Sequence, residues 1–379
     1  MSRGTAWQRL AGALPLALVC LATMLSGLGP ARGEPVTSAS ELAEFVVAAV
    51  DRFIVPGYEA LAAATDRLEQ ATGAWCASGE AAAPAAVKAA FRDSVLAFAR
   101  VEMVRFGPAG RDTRTQRLAL WPDQRGVVRR QVQRALATPD RALWSKEAIA
   151  IQSAAIQGLP ALELLIYPLA RTESAAEATH RCRLAAAVAG YVAELARRIR
   201  SEWTTADGWR SVMLAAAPDN PVYHSHQEVA ADLVRALLTG LQIVREQEIM
   251  PRLKAIESAK PASGLPFERS GLSIDYLLAG LAGVRDLQAA LALEEVAARL
   301  GAREADKAWM RQWLASAYGV LETDAHLAEP KSKAGDKWLA DAKALRQAAF
   351  YANGLRQLIG REIAPAAGLL IGFNELDGD

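Results

Sequence analysis

Apolar residues recur every three or four positions through long segments of the chain, which is the period of a helix that buries one face. Residues 41–75, 85–106, 173–203 and 228–256 show this pattern most clearly. Pro56 falls inside the first segment, so we expect a kink in that helix. Aromatic residues make up only 6% of the chain. The pattern therefore predicts an all-α fold.

The helical segments divide between the two halves of the chain. With 379 residues, the chain exceeds the size at which one hydrophobic core usually suffices. The stretches "AAIQGLPALELLIYP" and "ALLTGLQIVREQEIMP" are faintly similar, which is typical of a duplicated unit. We therefore predict two related antiparallel helical bundles, at residues 34–207 and 208–379.

The N-terminal residues 1–33 have the features of a secretory signal peptide. Arg3 and Arg9 precede a long apolar stretch, and small residues precede Glu34. Cleavage near Gly33 would release a periplasmic protein without a stable membrane span. The alternative is an uncleaved anchor, because the apolar stretch is close to the length that crosses a bilayer.

Export leaves two cysteines, Cys76 and Cys182, in an oxidising compartment. An even pair in such a compartment predicts a disulfide, whereas two separate buried thiols are the alternative.

The charge pattern and the missing motifs exclude several classes of protein. The formal net charge is only +1, with acids and bases interspersed, which argues against a nucleic-acid surface. The sequence also lacks H-E-x-x-H, a glycine-rich phosphate loop, G-x-S-x-G and C-x-x-C. The enzyme classes that are most easily recognised from sequence are thereby excluded.

Glu163 is an acid in the otherwise mostly apolar stretch "AAIQGLPALELLIYP". On a helix it shares a face with Leu159, Pro160, Ile166 and Tyr167. A buried carboxylate needs a hydrogen-bond donor, a cation, a metal ion or a proton. We therefore predict that Glu163 is the central polar group of a site.

A second acid, Glu102, lies in the apolar segment "SVLAFARVEMVRFGP", with Arg105 one turn later. One interpretation is an ion pair within a surface helix, which contributes little to stability. The other is that Glu102, Arg105 and Glu163 converge in one bundle core, where two carboxylates need a cation between them.

Two further groups of residues are candidates for a site. The aperiodic stretch "LALWPDQRG" contains Trp121, Asp123 and Arg125, which either line a cleft or serve packing, with Asp123 capping the next helix. In "YHSHQE", His224 stands near Glu228. A solvated first helical turn is the alternative there, because two nitrogen ligands of uncertain direction do not define a metal site.

Four segments in this order behind a signal peptide resemble the imelysin-like proteins, the insulin-cleaving membrane protease group. They are "RVEMVRFGP", "LALWPDQRG", "QGLPALELLIYP" and the terminal "GFNELDGD". The resemblance covers essentially the whole mature chain. It implies two related helical bundles, a periplasmic or outer-membrane-associated location, and an association with bacterial iron uptake.

The signature of that family is G-x-H-x-x-E, in which a histidine and a glutamate three residues apart could share a metal ion. The corresponding run in this chain begins at Gly158 and ends at Glu163, with Pro160 in the position of the histidine. Since proline neither binds a metal nor moves a proton, the peptidase site that the family implies lacks one of its two groups.

These observations predict a non-catalytic binding or accessory protein in metal acquisition, with iron as the favoured metal. Oxygen ligands from Glu163 and Glu102 suit a hard ion such as ferric iron. The expected partners are a metal ion or small ligand and an envelope protein of an iron-uptake system. The remaining residues expected at the site are Arg105, Trp121, Asp123, Arg125 and Gly158.

Two other functions remain open at this stage. A metal-dependent peptidase would need the missing histidine from elsewhere, for example His224 or His226, within coordination reach of Glu163. A purely structural bundle would hold Glu163 by Arg105 or a tyrosine hydroxyl, with no open pocket beside the acid.

Overall fold

The computed structural model describes residues 37–123, 125–138, 140–168, 173–258, 265–299 and 335–372, and a few positions between 300 and 334. The side chains of residues 335–341 are not among those described. The predicted signal peptide, residues 1–33, lies outside these ranges, as do residues 373–379 of the terminal motif.

Regular structure within these ranges is helical, and no strand occurs in them. The longer α-helices are α1 (Ala39–Ala49), α2 (Val55–Ser78), α3 (Ala85–Val101), α4 (Val127–Ala137), α5 (Leu159–Ile166), α6 (Ala175–Thr204), α7 (His226–Gln242), α8 (Met250–Glu257), α9 (Ser273–Ala290) and α10 (Gly335–Leu358). Shorter α-helices are Gly107–Gly110, Arg114–Leu118, Lys146–Ala150, Ala154–Gln157, Trp209–Leu214, Leu293–Ala298 and Ala364–Ala366. The all-α prediction is confirmed.

Local sequence signals explain where two of the long helices begin. At the start of α1, the Ser38 side chain accepts a hydrogen bond from the Glu41 N–H, and the Glu41 carboxylate accepts one from the Ser38 N–H. Ser174 and Glu177 make the same reciprocal pair at the start of α6. Each pair satisfies amide groups that have no partner within the helix.

Three π-helical turns interrupt the described helices, and each one precedes a proline. They are π1 (Val50–Ile54), π2 (Ile243–Ile249) and π3 (Ile359–Ile363), and they precede Pro56, Pro251 and Pro365. A proline inside a helix lacks an N–H and clashes with the carbonyl one turn earlier. A wider π turn at that point relieves the clash while the helix continues. The kink expected at Pro56 is thus accompanied by a π turn that joins α1 to α2.

One continuous hydrophobic core fills the described part of the chain. Helix α2 packs against both α3 and α6, α9 packs along α3, and α1 packs against α7. Among the largest side chains in this core are Trp75, Trp203, Phe91 and Phe98. Helices from both halves therefore share the core, and the division at residue 207 stays a prediction.

Cys76 and Cys182 form a disulfide that joins α2 to α6, so this prediction from the sequence is confirmed. Their Cα atoms lie 5.5 Å apart, although 106 positions separate them in sequence. Within the described ranges, none of the helices combines the length and apolar character needed to cross a membrane.

Candidate functional site

Glu163 lies on the short helix α5, and only 8% of its surface is exposed. Its Oε1 accepts two hydrogen bonds from Ser270, one from the N–H at 2.8 Å and one from the hydroxyl at 2.7 Å. Ser270 stands in the segment that precedes α9. The donors that satisfy the first oxygen of Glu163 therefore come from the second half of the chain.

Two arginines donate hydrogen bonds to carbonyl groups at the end of α5 and in the two residues that follow it. Arg181 donates to the carbonyl of Leu165 at 2.7 Å, and Arg269 donates to those of Tyr167 and Pro168 at 3.0 and 3.2 Å. The carbonyls at the C-terminus of a helix lack partners within the helix, and cations are favourable there. Arg269 therefore also holds Ser270 close to Glu163.

Gly158 directly precedes α5, at a point where the chain passes very close to another backbone segment. A Cβ atom at this position would lie 2.4 Å from the Leu118 carbonyl oxygen and 2.7 Å from that of Arg117. The absence of a side chain at Gly158 therefore permits close packing at the start of α5. Pro160 occupies the first turn of α5, where its missing N–H costs nothing.

Burial raises the pKa of the Glu163 carboxyl, and the two hydrogen bonds from Ser270 oppose that rise. The charge of Arg269 also lowers the pKa, whereas that of Glu268 raises it. Its Oε2 accepts no hydrogen bond from the described residues. Glu163 thus has one oxygen fixed and one oxygen open.

Glu102 follows the last residue of α3 and is buried, with 5% of its surface exposed. Tyr276 on α9 donates a hydrogen bond to its Oε2, and Arg105 donates to its Oε1 at 3.4 Å. Burial raises the pKa of Glu102, and Arg105 and Tyr276 oppose that rise. The pair with Arg105 is therefore a buried ion pair at the end of α3, so the surface interpretation is wrong.

A third acid, Glu248 on π2, is more deeply buried, with 1% of its surface exposed. Its Oε2 accepts a hydrogen bond from Arg252 at 3.1 Å, whereas its Oε1 has no partner. Burial raises the pKa of Glu248 to about 8, and the attraction of Arg252 only partly opposes this. The charge of Glu102 raises the pKa further, so the two acids lie close enough to interact.

Glu102, Glu248 and Tyr276 line one small cavity of about 20 Å³. The rest of its wall is apolar or consists of glycine backbone: Ala99, Met103, Gly240, Ile243, Val244, Gly280 and Val284. A cavity of this size accommodates about one water molecule. The only polar side chains on this wall belong to two carboxylates and a phenol.

No hydrogen bond or ion pair between described residues joins Glu163 to Glu102 or Arg105. Four aromatic rings form a chain of contacts between the two regions. Tyr167 contacts Phe91, Phe91 contacts Phe267, and Phe267 contacts Tyr276, with ring centroids 5.0 to 6.1 Å apart. The two acids predicted to converge therefore have separate partners.

The loop residues serve the local fold in this structure. The Asp123 carboxylate accepts hydrogen bonds from the N–H groups of Val127 and Val128, at 2.6 and 3.0 Å, and so caps α4. Trp121 is partly buried and Arg125 is exposed. Of the two interpretations of Asp123, helix capping is thus the one that the contacts support.

The rings of the two candidate histidines both contact backbone carbonyl groups. His224 Nδ1 lies 3.2 Å from the Pro218 oxygen, and His226 Nε2 lies 3.2 Å from the Leu214 oxygen. No hydrogen bond between described residues joins either histidine ring to Glu163. Among the residues that the structure describes, no group of three or more His, Cys, Asp or Glu side chains is arranged to hold a metal ion.

Glu248 was not among the candidate residues from the sequence. Glu246, two positions earlier on the same π turn, is exposed in the structure. The useful signal was a spacing: Glu248 stands three positions before Pro251, and Arg252 follows it one turn later. A π turn shifts the helical faces, so regular periodicity places Glu248 incorrectly.

Comparisons with known proteins agree with the helical architecture. The family model described as Imelysin matches residues 54–288, more than half of the chain. No curated protein matches the chain.

Two solved structures are similar over most of the chain. An imelysin-like protein from Psychrobacter arcticum 273-4 has a TM-score of 0.67 at 19% identity, over 89% of this chain and 99% of that one. A "putative iron-regulated protein A precursor" from Parabacteroides distasonis ATCC 8503 has a TM-score of 0.61 at 14% identity, over 88% and 95%. Identities this low show a shared fold and nothing more specific. Taken with the family match, they establish that the chain belongs to the imelysin family.

Proposed function

We propose that this chain is an exported, non-catalytic binding or accessory protein of bacterial iron uptake, located in the periplasm. Glu163 is the carboxylate that contacts the bound metal. An envelope protein of the same uptake system receives the cargo from it.

The observation that carries this proposal is the unequal state of the two Glu163 oxygens. Ser270 holds Oε1 through two hydrogen bonds, while Oε2 accepts none from the described residues. A carboxylate that served only to stabilise the fold would gain more from partners on both oxygens. An oriented carboxylate with one open oxygen suits the binding of a cation.

One open oxygen does not form a complete coordination sphere. The cargo is therefore a metal ion that arrives with other donors already attached, such as water or a chelating molecule. Ferric iron is a hard ion and prefers oxygen ligands. Glu102, the other ligand predicted from the sequence, already accepts hydrogen bonds from Tyr276 and Arg105, so we assign the cargo to Glu163.

Two further observations support the proposal. A solved structure with the same fold is described as a precursor of an iron-regulated protein, which is consistent with both export and iron. The resemblance to the family implies a histidine where this chain has Pro160, so α5 offers no second catalytic group beside Glu163. A binding role needs only the carboxylate.

The test is iron binding by the mature protein, with ferric nitrilotriacetate as the probe. We compare wild type, Glu163→Gln and Glu59→Gln, which removes an exposed acid from α2 as a matched control. Iron retained after gel filtration and the shift in Tm are measured at pH 6 and pH 8. Binding is expected to strengthen with pH, because the proton competes for a carboxyl whose pKa is raised.

Loss of iron binding in Glu163→Gln alone, with Glu59→Gln equal to wild type, is the expected result. Equal retention by wild type and Glu163→Gln would remove Glu163 from the site. Failure of the wild type to retain iron would overturn the iron function itself. Peptide hydrolysis by the metal-loaded protein would replace the accessory role with the peptidase alternative.

A further inference from the structure

The cavity beside Glu248 has the features of a binding site that is separate from Glu163. Glu248 is almost completely buried, and its Oε1 has no partner. An unpartnered buried oxygen is costly, because it has lost its water without gaining a hydrogen bond. A guest in the cavity would supply the missing contact.

The wall of the cavity determines what kind of guest fits. Its only polar side chains carry oxygen: the carboxylates of Glu102 and Glu248 and the hydroxyl of Tyr276. The Tyr276 hydroxyl already donates its proton to Glu102, so once Glu248 is ionised these three side chains offer lone pairs and no free donor. Such a wall favours a small cation that prefers oxygen.

The size of the cavity excludes the common divalent ions with oxygen ligands. Magnesium keeps several of its water molecules, and calcium takes about six to eight oxygen ligands. A cavity of about 20 Å³ leaves room for one guest without a hydration shell. Three side chains supply at most five oxygens, too few for calcium.

The surrounding charges exclude a guest with more than one positive charge. Arg105 beside Glu102 and Arg252 beside Glu248 already balance the two carboxylates. Both guanidinium groups are largely buried, with side-chain exposures of 13% and 6%. Uncompensated charge in a buried region costs free energy. A single positive charge is therefore the smallest addition that still gives Oε1 of Glu248 a partner.

We propose that the cavity formed by Glu102, Glu248 and Tyr276 binds one dehydrated monovalent cation, sodium in preference to the larger potassium ion. The ion contacts the unpartnered Oε1 of Glu248 and bridges α3, π2 and α9. Its binding stabilises the fold and does not depend on iron or on Glu163.

The test is the unfolding midpoint of metal-free wild type at pH 9 in sodium, potassium or choline chloride at equal ionic strength. A ligand that binds only the folded state raises its stability. Sodium is therefore expected to raise Tm above the choline value by about 1–2 °C, and potassium by less. Choline is too large for the cavity and reports the effect of ionic strength alone.

Three variants distinguish this site from other effects of salt. Glu248→Gln removes the carboxylate, whereas Glu246→Gln removes an exposed acid from the same π turn. Gly280→Ala keeps every oxygen but adds a methyl group to the cavity wall, and that carbon would meet nothing closer than the Ala99 carbonyl oxygen at 3.8 Å. Alanine is favoured over glycine within a helix, so this variant is expected to fold.

The rise in Tm in sodium chloride relative to choline chloride should vanish in Glu248→Gln and in Gly280→Ala. It should persist in Glu246→Gln. Identical midpoints of the wild type in sodium and choline would mean that the cavity holds only water, and the proposal would fail. If the rise in Tm with sodium persisted in both Glu248→Gln and Gly280→Ala, sodium would be acting elsewhere, and the proposal would also fail. Neither outcome bears on iron binding at Glu163, which is tested with different variants and a different probe.

Discussion

The hydroxyl of Tyr276 donates a hydrogen bond to Oε2 of Glu102, and this bond joins α9 to the end of α3 inside the core. The two residues are 174 positions apart in sequence. Arg105 approaches the other oxygen of the same carboxylate. A buried acid is thus satisfied jointly by its own segment and by a helix from the second half of the chain.

Removing the Tyr276 hydroxyl should lower the stability of the folded protein. In Tyr276→Phe, Oε2 of Glu102 stays buried but loses its donor, so the free energy of unfolding should fall by about 1–3 kcal/mol. Tyr318→Phe is the matched control, because the Tyr318 hydroxyl is buried without a hydrogen-bond partner. Urea unfolding measures the free energy of unfolding of the two variants and of wild type. Equal stability losses in the two variants would show that the bond to Glu102 contributes nothing specific.

The titration of Glu248 should make stability depend on pH. Its pKa rises from an ordinary value of 4.5 to about 8 in the folded protein, chiefly through burial. Between these values the folded chain holds a proton that the unfolded chain has lost. The contribution of Glu248 to the free energy of unfolding should therefore fall as the pH rises from about 4.5, and level off above about 8.

The difference between wild type and Glu248→Gln isolates this contribution, since glutamine does not titrate. Unfolding in choline chloride at pH 5, 7 and 9 should show wild type losing stability relative to the variant as the pH rises. Glu246→Gln, which keeps the buried acid, should follow wild type. Parallel curves for wild type and Glu248→Gln would place the folded-state pKa near its ordinary value.

The helical architecture follows from local signals that a sequence contains. The apolar period of three to four residues predicted the long helices, and in the structure a serine with a glutamate three residues later caps the starts of α1 and α6. An even pair of cysteines, together with the expectation of export, predicted the disulfide. Each of these features depends on neighbouring residues or on one chemical property, so no knowledge of the fold was needed.

The partners that lie far away in sequence could not be predicted in the same way. Glu163 is satisfied by Ser270, which is 107 positions away in a segment without helical period. Nothing in the local sequence of either residue identifies the other. Glu248 was missed for another reason: the π turn before Pro251 adds a residue to the helical repeat and so changes which side chains face the core.

The disulfide between α2 and α6 should contribute substantially to stability. It closes a long loop, with 106 positions between Cys76 and Cys182. The chain-entropy model gives a loss of about 4–5 kcal/mol when such a loop is opened. Urea unfolding of the Cys76→Ser, Cys182→Ser double variant measures this loss, and alkylation with mass spectrometry counts the free thiols in native protein. Two free thiols in the native wild type would contradict the bridge.

Gly158 should tolerate no side chain, even though its backbone is not in a left-handed conformation. A Cβ atom would lie 2.4 Å from the Leu118 carbonyl oxygen, and this neighbour is backbone that cannot rotate away. Gly158→Ala should therefore displace the start of α5 and lower the free energy of unfolding by about 1–3 kcal/mol. The displacement would also move Glu163, so iron binding should weaken with stability.

Gly73 in α2 provides the opposite case within the same protein. A Cβ atom there would meet nothing within 4 Å. Gly73→Ala should raise the free energy of unfolding by about 0.5–1 kcal/mol, because alanine loses less backbone entropy on entering a helix. Urea unfolding of the two variants side by side tests the packing argument. If Gly158→Ala were as stable as Gly73→Ala, the close approach to Leu118 would not be what requires glycine at the start of α5.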